Sequence, residues 1–254
     1  MKVYLRIRHG GEFFNQNASD AFAGCSTLGI ETRTYKAVYS VNDNEPGDPV
    51  VGALADVEVA MDRMGVKLTP LDYPEELLPF TGRKIWQSTL FTITSHPECW
   101  HVFVKPVWDV KRFSGTVLDK SEDLIKLGGG LEDVTVWCSE KIRFLSEWRL
   151  WVLDGEIKGL NPYSGQWDLF PDTAVLKKAV LAFHSAPRAY ALDFGVTDDG
   201  RTLLVEASDG YALKSFGLDP ETYVHILAAR WQELTKDVPR KAPSEAVEKT
   251  GKER

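Results

Sequence analysis

Three short stretches of this chain gather the residue types that handle phosphate and divalent cations. The first, FVKPVWDVKRFSG over 103–115, carries Lys105 and Lys111 where one extended run ends and the next begins. Lys105 lies inside an apolar run. An unpaired ammonium is costly there, and a bound anion would relieve the cost; a solvated strand end is the alternative. The second stretch, SEWRLWV over 146–152, alternates. Glu147, Arg149 and Trp151 fall on one strand face, and Trp148, Leu150 and Val152 on the other. A charged pair beside a tryptophan is either a surface salt bridge or one wall of a polar cleft. The third, ALDFGVTDDGRTLLVEASDG over 191–210, places Asp193 and Glu206 in apolar strand contexts on either side of a tight turn. A register that pairs them sets two carboxylates side by side, and like charges in such a setting raise each other's pKa or need a cation. Oxygen ligands with a few waters suit Mg2+. Asp198, Asp199 and Gly200 are ordinary turn residues. Ser208 and Asp209 either extend the ligand set or open the next loop.

Taken together, the lysines, the arginine and the paired carboxylates describe a site for a nucleoside triphosphate with Mg2+. No GxxxxGK[ST] loop is present. The Gly128-Gly129-Gly130 run follows an expected helix, so it reads as a helix stop and not as a phosphate cradle.

The elements that must position these residues follow from pattern and punctuation. Residues 2–8 alternate as a half-buried strand, 32–41 are β-rich, and 42–49 (NDNEPGDP) form a loop. Residues 50–64 read as a helix and 66–71 as a short strand, giving the first part a βαβ character. Pro70, Pro74 and Pro79 mark a boundary near 70–82. Strands are expected over 100–107 and 113–118, a helix over 121–127, and a strand over 134–142. Two hairpins follow: 144–153 with 156–160 around Asp154-Gly155, and 190–196 with 202–207 around the DDG turn. Helices over 172–184 and 219–234 complete the fold, the latter opened by Asp219-Pro220. The expected division is an N-terminal α/β domain over 1–82, a second domain over 83–238, and a charged, unstructured tail over 239–254.

Whole-chain properties narrow the partners. The 254 residues are 43% hydrophobic and 26% charged, as in a globular protein. No apolar run approaches the ~20 residues needed to span a bilayer, and the first residues lack the apolar stretch of a signal peptide. Cys25, Cys99 and Cys138 are scattered and match no zinc spacing, which agrees with a reducing, cytoplasmic compartment. A formal net charge of -7 does not favour nucleic acid as a partner.

In order and spacing, FVKP, KRFSG, EWRLWV and LDFGV…LLVEASDG resemble the ATP-grasp superfamily across residues 80–218. They resemble in particular its divergent clade named for one arginine and two lysines. That clade includes phage and bacterial proteins and the eukaryotic cell-division-cycle factor that assists assembly of a translation initiation factor. The resemblance implies an α+β ATP-grasp fold with ATP held between two α+β subdomains. It implies phosphate contacts from Lys105 and Lys111. Adenine would meet the backbone near Trp137, Cys138, Ser139 and Glu140, and the ribose would meet Glu140 or Glu147. Arg149 would stabilise the transferred phosphoryl group, and Asp193 and Glu206 would hold Mg2+. One departure is Ser208, which stands where most of the superfamily has an asparagine ligand. The implied activity is ATP-dependent carboxylate–amine ligation through an acyl phosphate, on a peptide or protein. A nucleotide-binding assembly factor without turnover shares the same residues. An enzyme joining nucleic-acid ends would need a basic channel, for which the net charge offers no support.

Overall fold

A small parallel sheet opens the chain and two antiparallel sheets follow it. The computed structural model describes residues 1–107, 113–127 and 132–240. The first sheet has the order β2-β1-β3, with β1 (Lys2–Arg6) between β2 (Glu31–Tyr35) and the short β3 (Val50–Val51). Its crossovers are α1 (Gln16–Leu28) and the loop over residues 36–49, and α2 (Leu54–Arg63) follows β3. The second sheet, order β4-β7-β5-β6, contains β4 (Ile85–Thr89), β5 (Val102–Pro106), β6 (Thr116–Leu118) and β7 (Thr135–Glu140), with the one-turn helix α3 (Leu90–Ser95) after β4. The third, order β11-β10-β8-β9, contains β8 (Phe144–Leu153), β9 (Glu156–Gly165), β10 (Ala189–Thr197) and β11 (Thr202–Asp209). Helix α4 (Thr173–Ala182) lies between β9 and β10, and α5 (Pro220–Leu234) ends the described chain.

The hairpin at Asp154-Gly155 forms as its sequence requires, both residues having positive φ (49° and 77°). Asp172 and Asp219 cap α4 and α5 through their side chains. The first eighty residues depart more from their pattern. Helix α1 has no counterpart among the expected elements, although Asn15 caps its start and Gly29 closes it in the left-handed region. Its buried face is Ala18, Ala21, Gly24 and Cys25, too small and weakly apolar to stand out. Gly24 allows α5 to approach closely: a Cβ there would collide with the Pro220 carbonyl oxygen. Residues 50–64 are not one helix, because Val50 and Val51 pair with β1 before α2 begins. Residues 66–71 form no strand; the segment makes a single bridge just beyond its end, between Asp72 and Ala207. Residues 121–127 wind as a 3-10 helix. The Gly128–Gly130 run, Lys111 and residues 241–254 of the expected tail lie outside the described residues.

Each face of the third sheet has a different task. Leu150, Val152, Leu192, Phe194 and Leu204 point to α4 and form one core with Leu176, Ala179 and Phe183. On the opposite face, Trp151, Ala189 and Ala191 pack against α1, α5 and β1. The remainder of that face is polar, and it is turned towards the second sheet.

Candidate functional site

The polar half of the third sheet holds a row of four aligned residues. Strand register places Glu206 opposite Asp193, Asp193 opposite Arg149, and Arg149 opposite Asn161. A β-bulge makes this row. Between the DDG turn and Phe194 the hairpin pairs Phe194 with Leu204, and continuing without interruption it would set Asp193 against Val205. Val205 is instead the extra residue, so the next pair is Asp193 with Glu206. A one-residue shift moves side chains to the other face. Glu206 therefore joins Asp193 on the polar face and does not enter the core beside Leu192. The bulge is held from outside the sheet by Arg83, whose guanidinium donates to the Leu204 and Val205 carbonyls at 2.7 and 3.0 Å.

Every charge in the row has a partner. Arg149 is 7% exposed and donates from Nε and Nη2 to the two oxygens of Asp193 at 2.8 and 2.6 Å. The Phe216 ring lies 4.9 Å from this guanidinium, and Tyr163 stacks on Phe216 while donating to Glu147. Lys105 reaches across from β5 of the second sheet and donates to Glu206 Oε2 at 2.7 Å and to Asp72 Oδ1 at 2.6 Å. Its Nζ also lies 4.7 Å from the centre of the Tyr73 ring. Lys105 and Trp137 are register partners on the same face of the second sheet, and the Trp137 indole donates to Asp72 Oδ2. The two sheets thus face one another across a seam of ion pairs.

Burial and neighbouring charge set the protonation of these groups. Burial, assisted by Glu206, pushes the Asp193 carboxyl up to about 6, against the pull of Arg149. Burial also acts to raise Glu206, but Lys105, Arg149 and Arg83 together outweigh it and hold that carboxyl below its usual value. Lys105 remains charged, because Glu206, Tyr73 and Asp72 overcome its desolvation.

Beside the seam opens a cavity of about 800 Å³. Lys105, Asp72, Glu206 and Ser208 line it, as do Leu54 and Val59 of α2. Ser208 lies two residues beyond Glu206 on β11, opposite Ala191. Asp209 is engaged by Arg230 through two bonds of 2.7 and 2.6 Å, which ties it to α5. On β7, Cys138 is buried with Leu90 and Ile93 of α3. Its backbone lies in a central strand, between Trp86 of β4 and Val104 of β5. Ser139 is buried, and Glu140 accepts from the Lys84 amide. Trp151 needs a correction: the sequence put it on a cleft face with Arg149. It does share that face, yet it is wholly buried against Tyr223 under α5.

The donor chemistry fits Mg2+ together with a nucleotide. Two carboxylates stand side by side, two cations stand against them, and no group of three or more acidic, His or Cys side chains that could hold a metal occurs among the described residues. A metal held here would draw its other ligands from phosphate oxygens and water. Asp72, Tyr73, Arg83 and Phe216 were not singled out by sequence. Asp72 and Tyr73 sit in the proline-rich segment, where no periodicity marks a functional side chain.

With this geometry in place, comparison with known proteins is decisive about family. A model of the ATP-grasp domain, R2K clade family 2, matches residues 80–226, more than half of the chain. The chain belongs to the R2K clade of ATP-grasp proteins. Among solved structures, it is similar to N5-carboxyaminoimidazole synthetase from Staphylococcus aureus at 10% identity and a TM-score of 0.58, covering 91% of this chain and 77% of that one. It is similar also to D-alanine–D-alanine ligase from Bacillus anthracis at 12% identity and a TM-score of 0.55, covering 93% and 99%. A D-cycloserine synthetase gives 14% identity and a TM-score of 0.53, covering 91% and 100%. These likenesses establish the α+β ATP-grasp fold. No curated protein matches significantly. Among the described residues, no helix of the R2K protein is long and apolar enough to cross a membrane.

Proposed function

We propose that this ATP-grasp protein is an ATP- and Mg2+-dependent ligase that joins a carboxylate to an amine, on a peptide or protein substrate. The observation that carries the reading is the seam itself, in which Lys105 of one sheet meets Glu206 of the other beside the Arg149–Asp193 pair. Asp193 and Glu206 would hold Mg2+ there, and the ion would supply positive charge against the phosphates. Lys105 and Lys111 would hold the phosphates, and the adenine would lie along Trp137, Cys138, Ser139 and Glu140 of β7. Glu140 at the end of β7 would take the ribose, with Glu147 beside Arg149 as the other candidate. Asp193 and Glu206 would turn from their cations to the metal, with Ser208 at the edge of the set. The cavity beyond Lys105 has room for the carboxylate and the incoming amine. The structural relatives named for joining D-alanine to D-alanine and for making D-cycloserine support the ligase class.

Saturating Mg-ATP should stabilise the protein. A ligand that binds only the folded state at ~100 times its Kd adds about 2.7 kcal/mol. A melting temperature that does not move with Mg-ATP would overturn the reading. ADP release that rises only with added carboxylate and amine acceptors would separate ligase turnover from simple nucleotide binding.

The same melting assay has an expected pH dependence. Asp193 titrates near 6 in the metal-free fold, above the ordinary value of 3.8. Its protonation therefore favours the metal-free protein, whereas a metal ligand must be ionised. The gain from Mg-ATP should accordingly shrink as pH falls below about 6, and it should be constant above that point. A gain that is flat from neutral to pH 5, or that grows on acidification, would remove Asp193 from the metal set.

A further inference from the structure

Asp72 has no place in the ligand sets considered so far, yet it is tied to three strands at the seam. It lies outside the residues that match the family, in the segment joining the parallel sheet to the second sheet. Three strands fix it. Oδ1 accepts from Lys105 on β5, Oδ2 accepts from the Trp137 indole on β7, and its carbonyl accepts from the Ala207 amide on β11 at 2.8 Å. Its backbone takes a positive φ of 46°, unusual for a residue other than glycine, to satisfy all three. Lys105 consequently faces two carboxylates, Asp72 and Glu206, not one.

We infer that Asp72 makes the site selective for metal-complexed nucleotide and rejects the free triphosphate, a reading that rests on the ATP site proposed above. The argument is one of charge. A phosphate arriving without metal meets an ammonium already neutralised, with a carboxylate on each side repelling it. A phosphate arriving with a divalent cation gives Glu206 a new partner, and the cation cancels part of the nucleotide's own charge. Lys105 then keeps Asp72 as its single counter-ion and turns its remaining donors to the phosphate. Asp72 cannot follow Glu206 to the metal while Lys105 holds its first oxygen, because its second oxygen and its backbone are committed to Trp137 and Ala207. Its negative charge therefore remains whichever form of the nucleotide arrives, and it weighs more heavily on the more highly charged form.

The test compares ATP titrated in EDTA with ATP titrated in excess Mg2+, by calorimetry, for the full-length wild type, Asp72→Asn and Asp72→Ser. Both variants remove the charge. The asparagine keeps one acceptor for Lys105, so it still reports if the serine variant does not fold, as judged by melting. Metal-free ATP should bind roughly tenfold more tightly to the variants, and Mg-ATP no more than roughly threefold more tightly, so that the preference for the metal complex narrows. Asp72→Glu, which disturbs the bonds of Asp72 but keeps its charge, should leave the preference at its wild-type ratio. An unchanged ratio in the two uncharged variants, or weaker metal-free binding, would overturn the inference while leaving the ATP reading intact. So would a shift of the same size in Asp72→Glu, since Asp72 would then act only as a brace. A wild-type protein that binds neither form would overturn both.

Discussion

Arg149→Lys is expected to lose about a hundredfold or more in ATP-consuming turnover while keeping ATP affinity within a fewfold of wild type. The substitution retains the charge and removes the fork. In the native protein, Nε and Nη2 grip both oxygens of Asp193, and the ring of Phe216 holds the guanidinium plane. A lysine ammonium cannot bridge two oxygens in parallel while offering a further donor along a fixed direction. Ground-state binding draws on several phosphate contacts and tolerates the loss, whereas charge on a phosphoryl group in flight needs the fixed donor. Arg149→Ala has a different signature. It leaves Asp193, 2% exposed, without its cation, and breaking a buried pair in this way costs about 3–5 kcal/mol of stability. Calorimetric ATP affinity, ADP production and denaturant melts of the two variants separate the roles. Normal turnover in the lysine variant would reduce Arg149 to a structural partner of Asp193. Normal maximal turnover with weakened affinity would make it a ground-state binder.

The part of this site that is legible in sequence depends on strand alternation. EWRLWV places Arg149 and Glu147 together and Leu150 and Val152 opposite, and the third sheet keeps both assignments. Alternation assigns a face but says nothing of what covers it. Trp151 illustrates the limit, since α5 and Tyr223, distant in sequence, bury it two residues from Arg149. The pairing of Asp193 with Glu206 was less legible than the DDG hairpin suggested. It depends on the bulge at Val205, which a valine in an apolar run does not announce, and which Arg83 holds from more than a hundred residues away. Asp72 was not legible at all. Its role comes from three contacts to three strands, made by an irregular segment whose prolines read only as a boundary. Helix α1 was missed for a local reason: its buried side is alanine, glycine and cysteine, so the signal lay in the caps Asn15 and Gly29 and not in hydrophobic period.

Lys105→Met should show how strongly the seam depends on one ammonium. The methionine fills most of the volume of the lysine stem and removes the charge, leaving Asp72 and Glu206 facing each other where each had bonded the same nitrogen at 2.6 and 2.7 Å. Two carboxylates that close in a half-buried setting cannot both stay ionised without penalty. Glu206 keeps a third of its side-chain surface, so the loss of stability should fall somewhat below the fully buried range, at about 2–4 kcal/mol. ATP affinity should drop at least tenfold, because the proposed phosphate contact is lost and two repelling charges remain. The variant should also acquire a property the wild type lacks. With Lys105 gone, Asp72 and Glu206 form a facing pair for a divalent cation, with Asp193 next along the row, so Mg2+ without nucleotide should raise the melting temperature of Lys105→Met more than that of wild type. Adding Glu206→Gln to Lys105→Met should recover part of the lost stability, since it removes one of the two opposed charges. If the single variant is as stable as wild type, the ion pairs across the seam contribute nothing to the fold. If the double variant is less stable than the single, repulsion between Asp72 and Glu206 is not the source of the loss, and the two sheets are held together by contacts other than Lys105.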